Sequence, residues 1–364
     1  MCIQSENVKE KLDLKKYKTS EEGYRRLIPA ITKCRKAQFE RCNLTIESIG
    51  ILSAALQTEN SLKELDISKN ELQDSGMELL SAGMKSSHCK LQIVRLADCK
   101  LSKQSCNILL SVLQTKNSSL KELDLSNNDL EDIGVEALSA GLKSTHCKLE
   151  ILRLSGCMIT EVGCTSLASA LSPSASHLKE LDLTYNHPGQ SGMKLLSARV
   201  EDPHCSLETL RMENGGEIRI KPGLKKYSCD LTLDPNTAHM RLSLCEGNRK
   251  VVCLSEQQEY PDNSGRFDWW EQVLCRESVT GRCFWETKWS AGWVYIALTY
   301  KTISRKGRSD DCLFGRNEKS WSLYCSNNSY SVQHNKTIID IPAPLSSSKT
   351  VGVYVDYPAG TLYH

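Results

Sequence analysis

No stretch of this chain reaches the ~18 consecutive apolar residues that a membrane helix needs. The opening segment MCIQSENVKEKLDLKKYK is polar throughout and holds no apolar signal-peptide core. Both absences lead to the expectation of a soluble, cytoplasmic protein. A surplus of either charge is also lacking: 46 basic residues oppose 44 acidic ones, so nothing in the balance favours nucleic acid or an anionic membrane as a partner. Catalytic signatures are missing as well. Without C-x-x-C, H-E-x-x-H or G-x-S-x-G, a RING-type zinc centre and a hydrolase lack their residues. Without G-x-x-x-x-G-K-[ST], the chain has no loop to cradle ATP phosphates. No catalytic residue, metal ligand or cofactor is therefore expected, and binding has to rest on local surfaces.

What the chain has in quantity is cysteine. Its 17 cysteines would suggest a disulfide framework in a secreted chain, but in an intracellular one most are expected to be free thiols, many packed as small core residues. Three of them raise a sharper question, because His88-Cys89, His146-Cys147 and His204-Cys205 each set an imidazole beside a thiol. Each pair comes just before a strand-like segment. The answer lies in a repeat.

Aligning SLKELDISKN (61–70), KLQIVRLADC (90–99), SLKELDLSNN (119–128), KLEILRLSGC (148–157), HLKELDLTYN (177–186) and SLETLRMENG (206–215) brings Leu62, Leu91, Leu120, Leu149, Leu178 and Leu207 into register every 29 residues. A degenerate copy, KAQFERCNL (36–44), sits 28 residues upstream with Ala37 and Phe39 in strand positions, which makes seven repeats. Leu123-Asp124-Leu125 alternates as a strand does, and Val135, Leu138 and Leu142 follow at helical spacing. The same trio returns as Met77, Leu80, Met84 and as Met193, Leu196, Val200. One strand and one helix cannot bury both faces alone, so stacked copies supply the core of a leucine-rich-repeat solenoid. Successive His-Cys pairs then stand at least ~10 Å apart, two strand spacings, whereas zinc draws its ligands to ~2.3 Å. They read as repeat punctuation, and Cys106 and Cys164, on repeat helices, read as packing thiols.

At the strand exit the residues run Cys42, Asn70, Cys99, Asn128, Cys157 and Asn186, a two-repeat alternation. Here Asn can satisfy neighbouring backbone groups and Cys can fill space. These 28- and 29-residue units resemble ribonuclease-inhibitor-type repeats, the kind found at the carboxyl end of NOD-like receptors. The resemblance covers residues 34–215 and implies a short horseshoe that binds on its strand face. On that face one column reads Asp66, Arg95, Asp124, Arg153, Asp182, Arg211, and the next reads Glu64, Ile93, Glu122, Ile151, Glu180, Thr209. The first column is a candidate groove for a protein partner. The favoured alternative is a self-neutralised ladder that keeps an exposed sheet soluble and in register, each pair of opposite charges contributing ~0.2–1 kcal/mol. The segment KTSEEGYRRLIPAITKC (18–34) reads as a helix begun near Ser20 and interrupted by Pro29, part of a helical cap over residues 1–33.

After Asn214-Gly215-Gly216 the repeat stops, and residues 216–228 read as a linker with turn residues Pro222 and Gly223. From 229 to 364 the character changes. Short runs at Val294–Tyr300, Trp321–Tyr324 and Val351–Val355 alternate with polar turns, the pattern of an all-β antiparallel sandwich. LDPNTAHMRLSL (233–244), RFD (266–268), VLCRESVTGRCFWETKW (273–289), FGRNEKSWSLYC (314–325) and VGVYVDYPAGTL (351–362) resemble the successive signatures of a PRY-SPRY domain, the recognition module of butyrophilins and tripartite-motif proteins. Trp285, Trp289 and Trp321 read as core residues. The resemblance implies ligand contact through loops at one end of the sandwich, here about 257–268, 301–311 and 325–337, and through a shallow face beside them. KTISRKGRSDD supplies Arg305, Lys306, Asp310 and Asp311, along with Lys301 and Arg308, and Tyr324 is the best single contact candidate. The chain stops at GTLYH where the family pattern continues, so an incomplete sandwich with an unpaired edge is expected.

The combination resembles the carboxyl-terminal part of the fish-type group of NOD-like receptors, a multi-domain arrangement of α/β solenoid followed by sandwich. That resemblance implies a non-catalytic sensing module of cytosolic innate immunity whose ligand is a host or microbial protein. Two alternatives stand beside it: an enzyme inhibitor like ribonuclease inhibitor, against which the low repeat number argues, and a truncated receptor fragment with little activity.

Overall fold

Each L-x-x-L-x-L segment becomes a short strand, and the strands stack in chain order. The computed structural model describes residues 9–14, 20–171, 176–261, 263–290, 292–327, 329–342 and 349–363, divided between two units, Met1–Lys226 and Tyr227–His364. In the first unit β1 (Lys9–Asp13), β2 (Cys34–Gln38), β3 (Glu64–Asp66), β4 (Ile93–Arg95), β5 (Glu122–Asp124), β6 (Ile151–Arg153), β7 (Glu180–Asp182) and β8 (Thr209–Arg211) form one parallel sheet in sequence order. Glu64 pairs with Ile93, Leu65 with Val94 and Asp66 with Arg95, and the same register repeats to β8. Strand β1 lies ahead of the seven repeats legible in the sequence, with Leu12 buried opposite Ala37. Of the expected helical cap, residues 1–8 and 15–19 lie outside the described residues.

Between strands run α1 (Glu21–Leu27), α2 (Ile46–Leu56), α3 (Gln73–Met84), α4 (Lys103–Leu113), α5 (Glu131–Leu142), α6 (Glu161–Ala170) and α7 (Gly189–Glu201). Ser20 Oγ accepts from the Gly23 amide at 3.3 Å to start α1, which tightens into a 3₁₀ turn over Ile28–Lys33 carrying Pro29 near its start. Met77, Leu80, Val135 and Leu138 are fully buried, each burial contributing ~1.5–3 kcal/mol. In α7 only Leu196 of the corresponding trio is buried, and Met193 and Val200 are exposed, because α7 is the last helix of the stack among the described residues. Adjacent helices approach closely: a Cβ on Gly83 would lie 2.8 Å from the Ser53 carbonyl oxygen.

The strand exits explain the two-repeat alternation. Asn128 Oδ1 accepts from the amides of Cys99 and Leu101, both at 3.0 Å, while its Nδ2 donates to the carbonyls of Leu96 (2.9 Å) and Leu125 (2.8 Å). Asn70 and Asn186 repeat this pattern toward Cys42 and Leu44 and toward Cys157 and Ile159. Each amide therefore satisfies the preceding repeat, whose own exit residue is free to be small. Cys99 and Cys157 fill that space, their thiols donating to the carbonyls of Ile67 (3.4 Å) and Leu125 (3.3 Å) of the repeat before.

In the second unit the strands are antiparallel. β9 (Leu242–Cys245) and β10 (Lys250–Cys253) form a hairpin. One sheet runs β11 (Arg282–Lys288), β16 (Thr350–Asp356), β17 (Thr361–Tyr363), and the other runs β12 (Trp293–Thr299), β13 (Ser320–Ser326), β14 (Tyr330–His334), β15 (Thr337–Ile341). Trp289, Ile296, Leu323, Cys325 and Val353 form the core between them, with Trp285 packed against it. Trp321 is half-buried and stacks on the His334 ring, centroids 4.5 Å apart. Fourteen of the described cysteines lie outside any disulfide, but Cys229 and Cys283 are bridged, a pairing that the expectation of mostly free thiols did not single out.

The asparagine ladder carries a stability prediction. Asn128→Ala would remove this partner from four buried backbone groups, of which only the Leu125 carbonyl keeps the weak Cys157 thiol bond, and is expected to cost about 2–4 kcal/mol. Urea unfolding measures it, with exposed Asn117→Ala as the control; equal midpoints for the two variants would refute the ladder's role.

Candidate functional site

On the strand face the candidate column Asp66, Arg95, Asp124, Arg153, Asp182, Arg211 does not pair sideways. Each Arg instead reaches diagonally to the glutamates of the neighbouring column. Arg95 contacts Glu64 (2.5 Å) and Glu122 (3.1 Å), Arg153 contacts Glu122 (2.6 Å) and Glu180 (3.4 Å), and Arg211 contacts Glu180 (3.6 Å). Lys36 extends the chain of ion pairs to Glu64 at 3.4 Å. The aspartates turn to the backbone, with Asp66, Asp124 and Asp182 accepting from the amides of Ser68, Ser126 and Thr184 at 2.9–3.0 Å. Burial alone would raise the Glu64 carboxyl, yet the hydrogen bond and charge of Arg95 and the charge of Lys36 hold it below its ordinary 4.5. Burial pushes the Asp124 carboxyl up against the pull of Ser126, Arg153 and Arg95.

The His-Cys pairs are turns. In two of them Ser86 and Ser144 each accept twice, through Oγ from the His amide and through the carbonyl from the Cys amide. Asp202 does the same for His204 and Cys205. His146 is exposed while Cys147 is buried, so ring and thiol face different surroundings. Among the described residues no cluster of three His, Cys, Asp or Glu is placed to hold a metal ion. Burial pushes the Cys99, Cys157 and Cys164 thiols up to about 12, which keeps them protonated at neutral pH.

In the second unit the expected loops 257–268 and 301–311 are stitched together, whereas 325–337 is mostly strand, with β14 between two short turns, because its backbone pairs with β13 and β15; residues 262 and 328 lie outside the described residues. Arg305 donates to the carbonyls of Gly265 (3.1 Å) and Lys301 (3.0 Å), and Lys306 donates to that of Asn263 (3.3 Å). Asp268 accepts from the Gly307 amide at 2.8 Å, and the Arg308 guanidinium lies 3.6 Å from the centroid of Trp269. Asp310 meets Lys336, in the turn between β14 and β15, at 3.5 Å, while Asp311 keeps its carboxylate exposed. Asn317 holds this arrangement by donating to the carbonyls of Asp310 (3.0 Å) and Leu313 (2.9 Å). The RFD motif is scaffold too: Arg266 is buried, and its guanidinium grips the carbonyls of Pro235 (2.7 Å) and Ala238 (2.6 Å).

Tyr324 belongs to a different grouping, on the face of β12 and β13 opposite Ile296 and Leu323. Its ring centroid is 5.0 Å from that of Tyr295, its cross-strand partner, and Tyr295 is 5.7 Å from Trp293. Trp293 is 63% exposed and Tyr295 44%, which leaves large apolar area facing water. The sequence reading missed both residues. Their signal is the alternation in GWVYIALTY, which sets Trp293 and Tyr295 on the face opposite Val294 and Ile296.

Comparison with known proteins places these surfaces in context. A leucine-rich-repeat model matches residues 59–81, 116–139, 145–168 and 174–197, and the PRY, or SPRY-associated, domain model matches residues 231–279. The chain is 33% identical to mouse ribonuclease inhibitor over 257 residues, 71% of this chain and 51% of that protein. It is 39% identical to human NACHT, LRR and PYD domains-containing protein 12 over 231 residues, 63% of this chain and 21% of that one. It is also 40% identical over 146 residues to the stonustoxin beta subunit of Synanceia horrida, 40% of this chain and 21% of that subunit. The chain thus spans about half or less of these relatives. Among the described residues no helix is long and apolar enough to cross a membrane.

The depressed Glu64 carboxyl predicts a pH dependence. Its ion pairs stabilise the fold fully above the unfolded value near 4.5 and are lost as pH falls through the lower folded value. Wild type is therefore expected to exceed Glu64→Gln by about 1 kcal/mol at neutral pH, with the gap closing under acid. Denaturant midpoints between neutral pH and pH about 3 test this; a pH-independent gap would contradict it.

Proposed function

From repeats of the ribonuclease-inhibitor and NOD-like-receptor type joined to a PRY domain in one chain, we propose a non-catalytic protein-recognition module of cytosolic innate immunity, with a host or microbial protein as its ligand. The observation that carries this reading is the row Trp293, Tyr295, Tyr324 on the face of the sheet away from the core. Aromatic side chains supply large contact area at low conformational cost and dominate the energetics of protein interfaces. Arg305, Lys306, Asp310 and Asp311 act from the loop that follows β12, at the end of the β12–β13 pair away from Trp293, where partly exposed charges tune encounter rate and specificity more than affinity. The strand face of the repeats has a lesser part. Its Arg and Glu side chains already satisfy each other, so a ligand there has to displace ion pairs before it gains any.

A second reading, an enzyme inhibitor, is supported by the 33% identity to mouse ribonuclease inhibitor over 257 residues. One set of variants separates the two. The full chain, Trp293→Ala, Tyr324→Ala and Arg153→Ala would be used to capture proteins from infected and uninfected immune cells, and affinities then measured for the ligand identified. Each aromatic truncation is expected to weaken binding about tenfold or more and Arg153→Ala less than about threefold. Loss on Arg153→Ala alone would move the site to the repeats, and inhibition of a pancreatic-type ribonuclease would favour the second reading.

A further inference from the structure

The segment that reads as a linker does not leave the repeats. After β8 it runs back across the strand-exit turns, from those after β8 and β7 to those after β6 and β5. Arg219 Nε donates to the Asn214 carbonyl (2.9 Å) in the turn after β8, and its guanidinium lies 5.3 Å from the ring centroid of Tyr185 in the turn after β7. Gly223 donates its amide to Asp129 Oδ2 (3.0 Å) in the turn after β5. Lys226 ends the crossing. Its Nζ lies 2.5 Å from Asp129 Oδ1, 2.7 Å from the Gly156 carbonyl in the turn after β6 and 3.5 Å from the Asn128 carbonyl. The Lys226 side chain is 2% exposed.

A lysine is seldom buried to this degree, because its ammonium gives up hydration that only close acceptors can replace. Here three acceptors face the three N–H groups of one ammonium. The column of left-handed residues that ends each strand supplies an independent observation. It reads Arg41, Lys69, Asp98, Asn127, Gly156, Tyr185, Asn214, all with positive φ, and Gly156 at +63° is the member without a side chain. The lysine comes to the carbonyl of that bare position. Asp98, one turn earlier, lies within reach of the Lys226 charge.

We propose that the turns after β5 and β6 form a binding site for a primary ammonium group, filled in cis by Lys226, which makes residues 216–226 a releasable latch on the repeats. The ligand class is an ammonium on an unbranched alkyl stem. A planar guanidinium or a quaternary ammonium does not present three converging N–H donors to Asp129, Gly156 and Asn128.

Chemical rescue in the full chain tests this. Lys226→Ala empties the site, and hydrogen exchange across residues 216–226 together with trypsin cleavage after Arg219 reports whether the segment stays docked. Exchange and cleavage are expected to rise about tenfold or more, while exchange of β4 to β6 stays at the wild-type level. Added n-propylammonium is expected to restore protection, tetramethylammonium at the same concentration is not, and Asp129→Asn in the same background is expected to abolish the rescue. Lys226→Met, which keeps an unbranched stem of similar length without the ammonium, is expected to loosen the segment without rescue, and it serves if the alanine variant fails to fold. Wild-type protection in both Lys226 variants, or equal rescue by both cations, would overturn the proposal. None of these readouts depends on the ligand of the second unit, so failure here leaves the proposed function untouched.

Discussion

The first unit depends on how it satisfies backbone groups where each strand leaves the sheet. A strand of three residues makes few ladder bonds, and the turn that follows lies inside the solenoid, where unpaired amides and carbonyls are costly. One asparagine amide per two repeats meets that demand, accepting from two amides of the repeat before and donating to carbonyls on both sides. The alternate positions are thereby released from polar duty, and cysteine occupies them as a small apolar side chain with a weak donor. The doubled period, the many buried thiols and the left-handed column of turn residues are consequences of this one arrangement.

The same logic decides which charges are available to a partner. Arginine and glutamate on the strand face neutralise one another along a continuous chain, and the aspartates of that face are committed to turn amides. In the second unit Arg305 and Lys306 hold one loop to another through backbone carbonyls, which makes them as much scaffold as contact surface. Besides the exposed Asp311, what stays uncommitted there is aromatic: Trp293 and Tyr295 project from a sheet whose other face, through Ile296 and Leu323, packs in one core with Val353 of the facing sheet.

Much of the first unit was legible in the sequence because a solenoid repeats its instructions. Seven copies of one spacing give the strand, the helix and the inward residues of each without long-range information, and the alternation of Asn70, Cys99 and Asn128 points to the strand exit. Strand β1 escaped because KEKLD carries a single buried residue, too little to register as a repeat. The disulfide between Cys229 and Cys283 escaped because 54 residues separate its members and nothing local marks the pair. In the second unit Tyr324 was legible beside Trp321, but the alignment that sets Tyr295 opposite it is a matter of register between strands 29 residues apart.

By itself, then, the sequence determined the period, the inward-facing leucines, the charge columns and the order of the two modules. All of these are carried by spacings within or between copies of one pattern, and a local period decides which side chains share a face. Tertiary structure alone decided which charges pair. Arg95 has Asp66, Asp124, Glu64 and Glu122 as neighbours on adjoining strands, and the choice of the glutamates rests on side-chain reach and on the turn amides that claim the aspartates. It also decided that Lys226, one cation among 46 and unremarkable in KPGLKKY, is buried over Gly156, because burial depends on what the chain folds back upon.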